Sequence, residues 1–345
     1  MRRGCGPAAL LLPWAISGCA APRAPAAGDA DALGPGEHGT FSVPDWPDRE
    51  YILHVPSAAE AAGAPVVYAF HGGGGDKDGV DRTSCPGGVE GDPGCMIAVA
   101  DAAGTLLVMP DGVDKPGVGK RSWNAGGGEG DWRCVGGEAC ASGSDDVAYV
   151  DALRAEVERA VAVDTARVYA TGISNGAAMS HRLACERAEV FAAIAPVAGA
   201  NQAMAVPGCE PAEPVPVLHL HGTADACWGW DGAIENSLCD DAGEGAFVAV
   251  EDSAAFWRTA NGCTGVEETA VDDTEADGTT TTRARGTGCA ADTELWRIDG
   301  GGHTWPGGWQ YLPVASIGPV AEDYSGNAVI WNFFDGKTRG SGSDR

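Results

Sequence analysis

The stretch Val168-Tyr169-Ala170-Thr171-Gly172-Ile173-Ser174-Asn175-Gly176-Ala177-Ala178-Met179 constrains this chain more than any other. A short β-prone apolar run feeds Gly-x-Ser-x-Gly, and an Ala-rich segment of helical character follows at once. The pattern demands a strand, a sharp turn and a helix. The turn residue must take a strained backbone conformation, and small neighbours must let strand and helix approach closely. Gly172 and Gly176 meet that demand. A serine held in such a turn projects its hydroxyl off the end of a sheet, so Ser174 is the candidate nucleophile. In a chain with 52 glycines the five-residue match is weak by itself. Its weight comes from the strand before it and the helix after it.

The rest of the chain supplies the matching elements. Residues 49–56 predict an edge strand, and further strands are expected over 66–70, 105–109, 191–197, 215–221 and 294–298. Helical spacing of Val147, Val150, Leu153, Val157 and Val161 predicts a helix from 145 to 162, with Ser144, Asp145 and Asp146 at its N-terminus. Other helices are expected over 96–103, 247–260 and 324–334. Residues 265–285 read as an acidic, Thr-rich excursion ending in a strand. Residues 112–144 are Gly-rich and without period; they predict either a disulfide-tied, Trp-bearing loop over a site or a plain surface excursion. Alternating strands and helices define an α/β class with a mostly parallel central sheet and helices on both faces.

The ends do not belong to that domain. Residues 1–18 carry a basic start, a short apolar run and Ile16-Ser17-Gly18 before Cys19, the pattern of an exported lipoprotein signal peptide. Cys19 is the lipidation candidate, and the Ala/Pro/Gly-rich stretch 19–38 reads as a flexible tether. A single catalytic domain is expected over 39–336, with a polar tail at 337–345. A net charge of −27 repels nucleic acid and anionic lipid headgroups, so membrane attachment is expected only through the N-terminal lipid. Oligomeric state is left open. Twelve cysteines suit an oxidising compartment. Cys5 leaves with the signal and Cys19 is spoken for. Nearest-neighbour pairing of the rest gives Cys85 with Cys95, Cys134 with Cys140, Cys185 with Cys209, Cys227 with Cys239, and Cys263 with Cys289. No Cys-x-x-Cys pair argues for a metal.

A serine nucleophile needs a base, an acid and an oxyanion site. His71-Gly72-Gly73-Gly74-Gly75 follows a strand, where backbone N–H groups can face a ligand. Gly72, Gly73 and Asn175 are therefore the candidate oxyanion donors. Asp225 falls just past a strand, although a cap or turn role would suit it too and Asp111 competes from another strand end. Among seven histidines, His38 precedes the domain and His54 lies on the edge strand. His71, His219 and His221 belong to buried strands, where a structural role is the simpler reading, and His181 rides the helix after Ser174. His303 alone sits on a late, glycine-flanked turn beyond a strand. Ser174, Asp225 and His303 each stand where a strand stops, and their chemistry requires no metal or organic cofactor.

From about Tyr51 to Phe334 the chain resembles the secreted polyhydroxybutyrate-depolymerase and feruloyl-esterase family of α/β hydrolases. The resemblance is carried by His71-Gly72-Gly73, Gly172-Ile173-Ser174-Asn175-Gly176, His221-Gly222-Thr223-Ala224-Asp225 and, most specifically, Gly301-Gly302-His303-Thr304-Trp305-Pro306-Gly307-Gly308. It implies an α/β-hydrolase serine esterase with the chain order Ser174, Asp225, His303. Ala226-Cys227-Trp228-Gly229-Trp230 departs from the family's usual segment after the acid, which bears on substrate more than on catalysis. A tethered enzyme without a separate surface-binding domain suits soluble feruloyl or acetyl-polysaccharide esters ahead of hydroxybutyrate polymer or oligomers. Trp123, Trp228, Trp230 and Trp305 are candidates to stack on an acylated oligosaccharide or aromatic ester, against the commoner role of core packing. A non-catalytic glycan-binding surface lipoprotein is the alternative of another class.

Overall fold

The computed structural model describes residues 30, 33–58, 63–114, 119–236, 239 and 244–339. The expected signal peptide, Cys19 and most of the tether lie outside the described residues. Among the described residues no helix is long and apolar enough to cross a membrane.

In chain order the strands are β1 (His38–Val43), β2 (Trp46–His54), β3 (Ala64–Phe70), β4 (Leu106–Pro110), the short pair β5 (Val113–Asp114) and β6 (Arg121–Ser122), β7 (Val163–Ile173), β8 (Ala193–Val197), β9 (Val217–Gly222), β10 (Gly265–Ala270), β11 (Thr280–Thr287) and β12 (Thr293–Asp299). The helices are α1 (Lys77–Ser84), α2 (Met96–Ala102), α3 (Glu138–Ala141), α4 (Asp146–Ala160), α5 (Asn175–Glu186), α6 (Val250–Ala260), α7 (Val314–Ile317) and α8 (Gly326–Phe334).

Ten strands form one sheet in the order β1-β2-β4-β3-β7-β8-β9-β12-β11-β10. The pairs from β4 through β12 are all parallel, and both flanks are antiparallel. Parallel strands need crossover helices, which cover both faces of the sheet and leave the strands apolar throughout. The sequence Ala64-Pro65-Val66-Val67-Tyr68-Ala69-Phe70 shows this. Val66, Tyr68 and Phe70 enter the core under α4, α5 and α6, while Val67 and Ala69 enter the opposite core under α1, α2 and α8. The period-2 alternation of a strand thus feeds two hydrophobic layers.

Four parts of the chain differ from the sequence expectation. The strand expected at an edge over 49–56 is β2, an inner strand, because β1 pairs outside it and places His38 opposite His54. The excursion over 265–285 is a hairpin of β10 and β11 that extends the sheet. Every residue of β10 is exposed, and Glu267 and Glu268 discourage pairing of this free edge with another chain. Helix α1 was hidden in a charged run, yet Asp76 caps it by accepting from the Gly79 N–H at 2.9 Å. Residues 337–339, expected to open the polar tail, lie against the sheet: Tyr169 donates to the Lys337 carbonyl at 2.6 Å and Lys337 Nζ meets Asp292 at 3.0 Å.

Five disulfides join Cys85 to Cys95, Cys134 to Cys140, Cys185 to Cys209, Cys227 to Cys239, and Cys263 to Cys289. All staple loops or helix ends rather than strands.

Candidate active site

Ser174 stands between β7 and α5 with φ 59° and ψ −120°. For a residue with a Cβ this left-handed region is strained, and it is held by what surrounds it. The Ser174 N–H donates to the Val197 carbonyl of β8 at 2.9 Å, and its carbonyl accepts from the Ala178 N–H of α5 at 3.0 Å. A Cβ on Gly172 or Gly176 would drive into the Phe70 carbonyl oxygen, and one on Gly199 would meet that of Ser174. The small residues on either side of the turn are therefore a packing requirement of strand meeting helix.

The loop after β3 closes on this turn. A Cβ on Gly72 would lie 3.5 Å from Ser174 Cβ, so the Gly72 backbone passes directly beside the serine. His71 braces that loop. Its Nε2 accepts from the Gly112 N–H at 2.9 Å, and its Nδ1 therefore carries the proton given to the Gly72 carbonyl at 2.8 Å. Burial lowers the His71 pKa to about 4, which keeps this tautomer uncharged. Asn175 is the first residue of α5, where the backbone N–H has no partner within the helix. Its side chain clamps the Trp123 backbone, accepting from Trp123 N–H at 2.7 Å and donating to the Trp123 carbonyl at 2.8 Å. Trp123 Nε1 in turn donates to the His71 carbonyl at 3.0 Å. One indole and one amide thus tie the glycine loop to the serine turn.

His303, on the turn after β12, meets Asp225, past the end of β9. Nδ1 lies 2.7 Å from Asp225 Oδ2, with both side chains buried. Asp225 Oδ1 accepts from the N–H groups of Cys227 and Trp228, each at 2.8 Å. Burial alone would push the carboxyl up, but the charge of His303 and the hydrogen bonds of His221 and His303 outweigh it and hold Asp225 well below the usual carboxylate range. The turn is anchored by the His303 N–H on the Ile317 carbonyl and by Tyr311, whose hydroxyl donates to the His303 carbonyl at 2.9 Å. Because β7, β9 and β12 run parallel, Ser174, Asp225 and His303 share the carboxyl edge of the sheet.

The competing acid is otherwise engaged: Asp111 accepts from the Lys77 N–H at 2.8 Å and faces Arg121 Nε at 3.4 Å. His54 meets Asp101 at 3.2 Å, far along the sheet, and His181 accepts from Trp257 Nε1. Two groups bring three metal-capable side chains together among the described residues, Asp81-Cys85-Cys95 and Asp225-Cys227-His303. Their cysteines are in disulfides, so no thiolate is available to a metal in either.

Three of the four tryptophans expected at the substrate are core residues. Trp123, Trp228 and Trp305 are fully buried. Trp228 stacks on Phe247 with centroids 4.2 Å apart, gives its N–H to the Val248 carbonyl and is only 2% exposed. Trp230 is half-buried and keeps part of its surface accessible. Sequence reasoning passed over His71 and His221 as strand histidines. The signal that could have found them is their shared pattern, a histidine followed by glycine where a strand of the parallel centre ends.

The chain is similar in sequence to known esterases. No family model matches the chain. It is 32% identical over 283 residues to a protein named "Putative esterase NocK" from Nocardia uniformis subsp. tsuyamanensis, covering 77% of this chain and 73% of that one. It is 31% identical over 189 residues to "Probable feruloyl esterase C" of Aspergillus oryzae, covering 54% of this chain and 58% of the relative. Among solved structures, an acetyl xylan esterase from Aspergillus awamori superposes with a TM-score of 0.49 at 15% identity, over 78% of this chain and 94% of that one. The chain belongs to the α/β-hydrolase esterase family, and it is a carboxylic ester hydrolase.

Proposed function

We propose that the chain hydrolyses esters of the feruloyl or acetyl-polysaccharide type through Ser174, His303 and Asp225 and a covalent acyl-enzyme. The observation that carries this reading is the buried His303–Asp225 pair at 2.7 Å on the same sheet edge as a serine held at φ 59°. Asp225 fixes His303 with Nδ1 protonated, leaving Nε2 as the base. His303 Nε2 takes the Ser174 proton as Oγ attacks the ester carbonyl, then gives it to the leaving alcohol. Water repeats the sequence on the acyl-enzyme and releases the acid. The backbone N–H groups of Asn175 and of the Gly72-Gly73 turn receive the tetrahedral oxyanion, each donor worth roughly 3 kcal/mol of barrier.

The substrate class rests on the named feruloyl esterases among the relatives and on Trp230 as the remaining candidate for an aromatic or sugar ring. Export and tethering through Cys19 rest on residues 1–19 and fit a domain with five disulfides. A panel of feruloyl, acetyl-xylan and hydroxybutyrate esters tests the reading. Turnover of the first two supports it. Turnover of hydroxybutyrate oligomers alone would instead make the chain a depolymerase with the same three residues, and glycan binding without turnover would make it a lectin-like protein.

A further inference from the structure

Asp225 Oδ2 faces two imidazoles. His303 Nδ1 is 2.7 Å away, and His221 Nε2, from the end of β9, is 3.4 Å away. His221 Nε2 also lies 2.8 Å from the Trp228 carbonyl. A carbonyl oxygen only accepts, so Nε2 carries the proton and shares it between Trp228 and Asp225. His221 Nδ1 is then the ring's acceptor, and His219 Nε2 donates to it at 3.1 Å. His219 packs edge-on against His181 of α5 with centroids 5.4 Å apart, and His181 is fixed by Trp257 Nε1 from α6. Burial lowers the pKa of both His219 and His181, so neither brings charge to the row. His221 also meets the edge-on ring of Trp230 at 6.1 Å and, opposite in β12, Arg297, which is paired with Asp299 at 3.1 Å. Three imidazoles in a buried row cost desolvation that apolar side chains would not.

We propose that His221 is a positioning residue for ester hydrolysis, whose Nε2–H draws charge from the Asp225 oxygen facing His303 and so sets the pH at which His303 is free to accept the Ser174 proton. The inference rests on the assignment of Ser174, His303 and Asp225 above. With Oδ1 saturated by two backbone N–H groups, Oδ2 is the only oxygen whose basicity a side chain can adjust. Without the His221 N–H, Oδ2 would hold a proton on His303 more firmly and the base form would appear only at higher pH.

The test is the pH dependence of kcat/KM on p-nitrophenyl acetate for the full chain, His221→Phe and His221→Gln. The phenylalanine removes the donor, whereas the glutamine amide keeps one. The acid limb is expected to move up by about half a pH unit or more in His221→Phe, with kcat reduced and KM little changed, and to return toward wild type in His221→Gln. Coincident profiles for wild type and His221→Phe, or equal displacement of both variants, would overturn the proposal. Ser174→Ala in the same assay separates the two levels: full activity there would sink the serine assignment itself. Should His221→Phe fail to fold by circular dichroism, 15N-histidine NMR of the wild type decides. An Nε2-protonated His221 supports the proposal, and an Nδ1-protonated ring contradicts it.

Discussion

At the scale of single residues, the site is built by side chains that hold backbone in place as much as by those that react. Asn175 is the clearest case: its N–H is the proposed oxyanion donor, and its amide clamps both polar groups of Trp123. Asn175→Ala keeps the N–H and loses the clamp, leaving two buried backbone groups without partners. The cost is expected to be about 2–4 kcal/mol in urea unfolding, with a fall in kcat larger than any change in KM. A variant as stable and active as wild type would show that the clamp is idle. Asp225→Asn should keep the fold and lower kcat by about 10⁴-fold, the size seen when a triad acid can no longer hold the imidazole tautomer. Ser174, Asp225 and His303 could be nominated from the sequence because each is a chemically suited residue just past a strand, with glycines close by Ser174 and His303. His71 and His221 were not, since a buried histidine shows its function only through the partners of both ring nitrogens. That Trp123, Trp228 and Trp305 lie in the core was not legible for a related reason: an indole near the motifs in sequence gives no sign of which way it faces.

At the scale of elements, the strand–turn–helix of β7 and α5 is the unit that cannot be altered. Gly176→Val would push a branched side chain into the Phe70 and His71 carbonyls and separate the glycine loop from the serine turn. Soluble, folded and active Gly176→Val protein would refute that packing account. The Cys185–Cys209 bridge ties the last turn of α5 to the segment after β8 across 24 residues. Replacing both cysteines by serine is expected to cost roughly 3 kcal/mol, read as a lower urea midpoint. The parallel strands were readable because burial on both faces makes them continuous apolar runs. The flanking strands β1 and β10 were not: β1 has only Phe41 and Val43 as apolar side chains, and β10 is wholly exposed, so neither carries a hydrophobic signature.

At the scale of the whole molecule, the buried histidines make stability depend on pH. Burial depresses His71 to about 4 and His181 to about 3, and lowers His54 and His219 as well. A histidine whose folded pKa lies below its unfolded value of 6.5 binds its proton preferentially in the unfolded chain. Stability is therefore intact above pH 6.5 and falls as pH drops through the window from 6.5 toward 3, by about 2 kcal/mol at pH 5 for His71 alone. Asp81 and Asp111 act with the opposite sign, because burial raises both and protonation relieves them. Four histidines against two acids predict a lower urea midpoint at pH 5 than at pH 7, measured at about 0.3 M salt to screen the net negative charge. A higher midpoint at pH 5 would contradict the burial of these rings. The overall architecture was legible from the alternation of strand and helix, whereas the coupling of four histidines into the core depends on tertiary packing.

The central claim is that a single serine in the β7–α5 turn does the chemistry. Treating the folded protein with an aryl phosphonate and mapping the adduct by peptide mass spectrometry tests it most directly. One adduct per chain is expected, on Ser174, with loss of p-nitrophenyl ester hydrolysis in step with labelling, and neither labelling nor hydrolysis in Ser174→Ala. Hydrolysis that survives complete labelling of Ser174, or an adduct on another residue that tracks the loss of activity, would contradict it.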